Sequence, residues 1–155
     1  VGPLIRPGEV ARVDEWVQEA ITLGAIPLCG AEVKGTTQYL PTVLTKVPAQ
    51  CTLSRNEVFG PVVCIYAFED ATEAYHQAND LPFAFQAAVF TQNLQNMMSA
   101  FHGLQASAVM VNEHTAFRTD WMPFAGLKQS GLGIGGIEHT MKEMQTEKML
   151  VLPSF

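Results

Sequence analysis

The sequence predicts an α/β fold with a largely parallel sheet and flanking helices, and three features predict it. The continuously apolar run 62–68 reads as a strand covered on both faces, 87–91 as a second buried strand and 108–112 as a third strand. Between them stand two segments of helical periodicity, each opened by a residue able to cap a helix. The links are short, so the strand–helix–strand–helix–strand series pairs in parallel through right-handed crossovers. A single α/β lobe follows.

The first helix spans about 9–23, with Val10, Val13, Trp16, Val17, Ala20 and Ile21 on one face and Asp14, Glu15, Gln18 and Glu19 off it. Gly24 stops it, because glycine tolerates the left-handed conformation that follows a last helical turn. Ile26–Cys29 reads as a short strand, 30–38 as a polar turn, and 39–47 as an extended segment punctuated by Pro41 and Pro48. After the first central strand, Asp70 and Glu73 make a capping-box-like start for a helix to about Asn79. Asn93 caps the next helix, on which Leu94, Met97, Met98, Phe101 and Leu104 share a face. The tail carries a glycine-rich turn (Gly131, Gly133, Gly135, Gly136), a short helix near 137–144 and a strand near 148–152.

At 155 residues the chain fits one domain with a real core, and 48% hydrophobic against 15% charged residues places it among folded proteins. The net charge of -6 comes without any lysine- or arginine-rich run, which argues against a nucleic-acid partner. Cys29, Cys51 and Cys64 are an odd number without paired spacing, so neither a disulfide framework nor a C-x-x-C metal site is read from them. A reduced, cytoplasmic setting is the simpler expectation. No apolar run approaches the ~20 residues of a membrane-spanning helix, so no membrane is expected as a partner. The chain opens on Val1 without a signal peptide, which reads as a segment of a longer protein.

Chemistry concentrates in two places. Asn56-Glu57-Val58-Phe59-Gly60-Pro61-Val62 sets an acid and an aromatic just before the first central strand. In an extended segment Glu57 and Phe59 point the same way. The acid can accept hydrogen bonds from ribose hydroxyls and the ring can stack on a flat heterocycle; a solvated acid and a core phenylalanine before a turn is the alternative, and spacing alone favours it. The second place is the loop 113–121, after Asn112 at the C-terminal end of a parallel strand, the edge where ligands bind open α/β sheets. Phe117, Arg118 and Trp121 could line a mostly apolar pocket with one charged anchor. A surface loop with an Arg118–Asp120 ion pair is the alternative. His76, His102, His114 and His139 are scattered, so no metal site is expected. The glycines from 131 to 136 lack the strand–helix–strand context of a phosphate loop. No cysteine has a neighbouring base or helix N-terminus to activate it, and catalytic residues are therefore expected to be absent from this chain.

Taken together, these segments resemble the aldehyde dehydrogenase superfamily in order and spacing over nearly the whole chain. Gly2-Pro3-Leu4-Ile5 heads the first helix and Tyr39-Leu40-Pro41-Thr42-Val43-Leu44 precedes the cofactor motif. Asn56-Glu57-Val58-Phe59-Gly60-Pro61-Val62 resembles the E-E-[IV]-F-G-P-V signature. Ala88-Val89-Phe90-Thr91, Val111-Asn112 and Pro123-Phe124-Ala125-Gly126-Leu127-Lys128-Gln129-Ser130-Gly131 follow in the family's order. The resemblance implies oxidation of a small-molecule aldehyde to an acid with NAD or NADP, through a cysteine thiolate, a thioester and a glutamate base. It implies that Glu57 holds the nicotinamide ribose hydroxyls and Phe59 packs on the nicotinamide. It implies further that Phe124 joins the aromatic wall of the substrate tunnel and that the 113–121 loop selects the aldehyde. On this basis 1–145 is the C-terminal portion of the catalytic domain, and 146–155 an oligomerisation strand and tail in a homo-oligomer.

The departures are equally specific. The family's nucleophile and base motifs are both absent, as are the strand–helix units that hold the adenosine end of the cofactor. Asn56 replaces the first acid of the usual pair, Ala125 a common glycine, and the 131–136 stretch lacks the usual Arg-Glu. Because removing a catalytic nucleophile costs roughly a million-fold in turnover, the isolated chain is expected to be inactive and to depend on the missing N-terminal half as its partner. A non-catalytic interaction or oligomerisation module, or part of a dehydrogenase that acylates coenzyme A, are the competing readings. Arg118 further suggests an aldehyde with a distal anionic group, since a guanidinium fork grips a carboxylate in bidentate fashion.

Overall fold

The computed structural model describes residues 1–153. They divide into two compact units, the first ending at Phe68 and the second beginning at Glu69, where the sequence reads as a single lobe.

The first unit opens with helix α1 (Pro7–Thr22), whose proline lies in the first turn, where a missing N–H leaves no bond unmade. Val10, Val13, Val17 and Ala20 form its buried stripe. Gly24 takes φ +111°, as the stop signal requires. Strands β1 (Ile26–Cys29), β4 (Thr42–Thr45) and β5 (Val62–Ile65) make a three-stranded sheet in that spatial order. The β1–β4 pair is antiparallel, and β4–β5 is parallel with Thr42 opposite Val62 and Leu44 opposite Cys64. The short helix α2 (Thr52–Arg55) supplies the crossover between β4 and β5. The α1 stripe closes over Tyr39, Leu44, Val47, Cys51 and Leu53 to form the core, with Val58, Val62 and Cys64 packed against it. A fully buried valine contributes about 1.5–3 kcal/mol, so Val13 and Val17, both without exposed surface, anchor the helix.

Two expectations change here. The 30–38 stretch is not a plain turn but an antiparallel hairpin, β2 (Val33–Gly35) with β3 (Gln38–Tyr39). Its polar residues hide the pairing, because the ladder is made by the backbone. The 62–68 run is not covered on both faces either. Its strand stops at Ile65 at the sheet edge, and only one face meets α1; Val63 and Ile65 are 57% and 47% exposed.

The second unit holds α3 (Ala71–Asn79), β6 (Phe83–Ala84), β7 (Gln86–Val89), α4 (Leu94–Gly103), β8 (Ala108–Val111), β9 (Leu127–Lys128) and α5 (Ile137–Glu143). Both predicted caps form. Asp70 accepts from the Thr72 N–H, and Asn93 accepts from the N–H groups of Gln95 and Asn96. β7 and β8 pair in parallel across α4, with Val89 opposite Val111. β6 and β9 pair antiparallel. Pairing within the units is thus mixed rather than largely parallel: β4–β5 and β7–β8 are parallel, and β1–β4, β2–β3 and β6–β9 antiparallel. The expected strand near 148–152 has no partner strand here, and Met149, Leu150, Val151 and Leu152 are exposed. An extended segment becomes a strand only when another edge takes up its N–H and C=O groups. The end of the predicted tail, 154–155, lies outside the described residues.

Candidate cofactor loop and substrate wall

The 56–61 loop is fixed by its backbone. Asn56 caps the end of α2, returning its N–H to Thr52 O at 3.0 Å. Val58 packs against the core, and its carbonyl accepts from Arg12 Nη2 at 2.8 Å. Gly60 admits no side chain, since a Cβ there would lie 2.8 Å from Val13 Cγ2. Pro61 O and Gly60 O accept from Thr42 N and Val62 N, both at 2.8 Å.

On this frame Glu57 is exposed and Phe59, at 75% exposed, lies outside the core of this chain. The loop is not simply extended, however. Phe59 sits at φ +43°, a left-handed conformation rare for an aromatic residue. Plain strand alternation therefore does not set the relative direction of Glu57 and Phe59; the turn at Phe59 does. The chemistry of the pair suits a nicotinamide ribose, with a carboxylate to accept from hydroxyls and a free ring to cover a flat heterocycle.

In the second unit, Asn112 launches the 113–121 loop from φ +55°. Its side chain accepts from Thr91 N at 2.8 Å and donates to Thr91 O at 2.9 Å, adding one rung to the β7–β8 ladder. His114 serves the loop itself, with Nδ1 accepting from the Ala116 N–H. Arg118 lies over the Phe124 ring at 4.4 Å and donates from Nη2 to Met122 O at 3.2 Å, in place of the ion pair with Asp120. Phe124 is held by paired backbone bonds with Gly135, of 2.9 and 2.7 Å, and meets Phe85 edge-on at 4.8 Å.

The structure thus brings Arg118 and Phe124 together and adds Phe85, which the sequence did not single out. Only its place beside β7 was legible, and no local pattern links it to Phe124. Phe117 is half-exposed, and Trp121 is 84% exposed. Lys128 was also missed as a tie. Its Nζ donates to Asn79 O at 2.7 Å and Leu81 O at 2.9 Å, fastening the Phe124–Gly131 stretch to the end of α3.

Cys51, expected to be remote from any helix start, is the N-cap residue of α2, yet it is fully buried. Burial pushes the Cys64 thiol up, away from thiolate. Among the described residues no group of three or more His, Cys, Asp or Glu gathers to hold a metal. Among the described residues no helix is long and apolar enough to cross a membrane.

Known proteins align along this same course. The chain is 40% identical over 152 residues to the 3-sulfolactaldehyde dehydrogenase of Priestia aryabhattai, covering 98% of this chain and 32% of that protein. It is 34% identical over the same length to a lactaldehyde dehydrogenase of Methanococcus maripaludis, again with 98% and 32% covered. Among solved structures, a glyceraldehyde-3-phosphate dehydrogenase of Methanocaldococcus jannaschii complexed with NADP superposes with a TM-score of 0.85 at 33% identity, over 93% of this chain and 31% of that one. The chain therefore spans about a third of the length of the relatives it matches. The aldehyde dehydrogenase family model matches residues 1–150, motif and fold in one run, and the chain belongs to that family.

Proposed function

We propose that this chain is the C-terminal portion of the catalytic domain of an NAD(P)-dependent aldehyde dehydrogenase that oxidises an aldehyde to a carboxylic acid. The observation that carries the reading is the 56–61 loop, a carboxylate and an exposed ring on a pinned backbone, inside a family match of residues 1–150. Glu57 would accept hydrogen bonds from the nicotinamide ribose and Phe59 would lie against the nicotinamide. When bound, NAD(P) supplies the hydride acceptor for the oxidation. Phe117, Arg118, Trp121 and Phe124 would line the substrate side. The nucleophile and the base would come from the part of the protein outside this chain, and 146–155 would pair with a neighbouring subunit.

Within that activity, an aldehyde with a distal anionic group is the substrate we favour. Phe124 and Met122 O fix the Arg118 guanidinium while engaging one of its five donors, so the rest of the fork remains for a carboxylate, sulfonate or phosphate. The 3-sulfolactaldehyde and glyceraldehyde-3-phosphate relatives are named for anionic aldehydes and the lactaldehyde relative for a neutral one. The relatives alone do not choose, and Arg118 is the reason for the choice.

The test is aldehyde-dependent NAD(P)H absorbance, run on this chain and on the full-length protein that carries it. Activity is expected only in the longer protein; turnover by this chain alone would make one of its cysteines a nucleophile and end the reading. In the longer protein, Arg118→Leu is expected to lower kcat/KM for an anionic aldehyde about tenfold or more, with a neutral one much less affected. Equal losses for both substrates rule out the anion preference.

A further inference from the structure

Arg12, half-buried beside the α1 stripe, has no part in the family signature, yet its guanidinium is held by three partners. Nη2 donates to Val58 O at 2.8 Å and Nε donates to Glu9 Oε2 at 2.8 Å. The group also lies over the Trp16 ring at 4.6 Å. Glu9 is itself held, since its Oε1 accepts from Arg6 Nε at 3.0 Å and Nη2 at 2.9 Å. The bond to Val58 joins residues far apart in sequence, helix to loop.

We propose that Arg12 is the positioning residue of the cofactor loop, holding Glu57 and Phe59 in place through the Val58 carbonyl that lies between them. The proposal rests on the reading of Glu57 and Phe59 as nicotinamide-ribose and ring contacts. Val58 O belongs to the peptide that joins Val58 to Phe59, so the direction of that carbonyl fixes ψ of Val58 and φ of Phe59 together. Phe59 stands at φ +43°, which an aromatic residue does not hold unless its surroundings impose it. Gly60 packed on Val13 restrains the far side of Phe59, and Arg12 restrains the near side. A charged donor in a planar fork is suited to this, because Glu9 and Trp16 fix its plane before it reaches the carbonyl. Without Arg12 the peptide is free to rotate, Phe59 relaxes toward negative φ, and its ring and the Glu57 carboxylate lose their common setting. Arg12 reaches the cofactor only through this peptide.

The experiment is NAD(P) binding and steady-state kinetics in the full-length protein carrying Arg12→Met, Arg12→Lys, Glu9→Gln, Glu57→Gln or Phe59→Ala. Arg12→Met is expected to raise Kd and KM for NAD(P) about tenfold, the loss of one charge-assisted hydrogen bond, with KM for the aldehyde at saturating cofactor unchanged. Arg12→Lys, which keeps a donor but loses the fork, is expected to fall between, and Glu9→Gln to move NAD(P) in the same direction by less. A purely structural arginine would lower the melting temperature without separating the two KM values. If Glu57→Gln weakens NAD(P) binding while Arg12→Met leaves it unchanged, Arg12 has no positioning role and the cofactor reading stands. If neither Glu57→Gln nor Phe59→Ala weakens it, the cofactor reading fails and this inference falls with it. Should Arg12→Met not fold, Glu9→Gln decides: unchanged NAD(P) binding overturns the proposal.

Discussion

Tyr39 shows how a single buried side chain ties this fold to pH. Its hydroxyl donates to Asp14 Oδ1 at 3.1 Å. Burial, and then the Asp14 carboxylate, push its phenol well above the usual tyrosine range. The folded state thus keeps the neutral form while the unfolded chain ionises first. The stabilisation is complete below the ordinary value of about 10 and is lost as pH rises beyond it. Tyr39→Phe is expected to cost about 1 kcal/mol near neutral pH and to flatten the alkaline loss of stability. Denaturant titrations below and above that range measure both, and an unchanged alkaline slope counts against this account. Gly60 makes a second prediction at this scale. Because Val13 is fully buried and cannot yield, Gly60→Ala is expected to destabilise by about 1–3 kcal/mol and to disturb the 56–61 loop, read as weaker NAD(P) binding. The candidate residues were legible one by one from their motifs, but the left-handed turn at Phe59 was not, since its neighbours Val58 and Gly60 meet Arg12 and Val13 of another element.

Among elements, the helices were read most faithfully, because their signals are local. The Asp70 and Asn93 caps lie within three residues of the N–H groups they satisfy. Asn93→Ala is expected to cost about 1 kcal/mol, measurable by thermal unfolding, with little effect on α3. Strand pairing was read less well. A hairpin of polar residues gives no apolar pattern, and the 62–68 run does not tell an edge strand from a central one. Asn112 joins the two levels, since it ends β8 and clips the loop to Thr91 through both amide atoms. Asn112→Ala leaves the Thr91 N–H and C=O without that partner and puts an alanine at φ +55°. It is expected to destabilise by about 1–3 kcal/mol and to raise KM for the aldehyde more than for NAD(P). Equal changes in both would separate this loop from substrate binding.

At the scale of the molecule, apolar surface is the dominant fact. The β5 face open to solvent (Val63, Ile65), the ring of Phe68 and the tail from Met149 to Leu152 are all exposed in this chain. Apolar surface left open to water drives association. The isolated chain is expected to self-associate, with an apparent mass that grows with concentration in light scattering coupled to gel filtration. A monodisperse monomer across the range would mean that these residues are tolerated in water. The full-length protein, in which we propose that other chain covers them, is expected to show a fixed oligomeric mass under the same conditions.

The sequence by itself determined helices α1, α3, α4 and α5 to within a few residues, the places of β1, β5, β7 and β8, and the two signature segments that the family model covers. Each of these depends on residues a few positions apart, where capping, periodicity and turn chemistry act. Only the tertiary structure decided that pairing is mixed, that the chain divides at Phe68, that Phe59 turns left-handed next to a carbonyl bonded by Arg12, and that Phe85 and Arg118 both meet the Phe124 ring. Those outcomes depend on partners distant in sequence, and a local pattern carries no record of which distant group will take up a given carbonyl or ring.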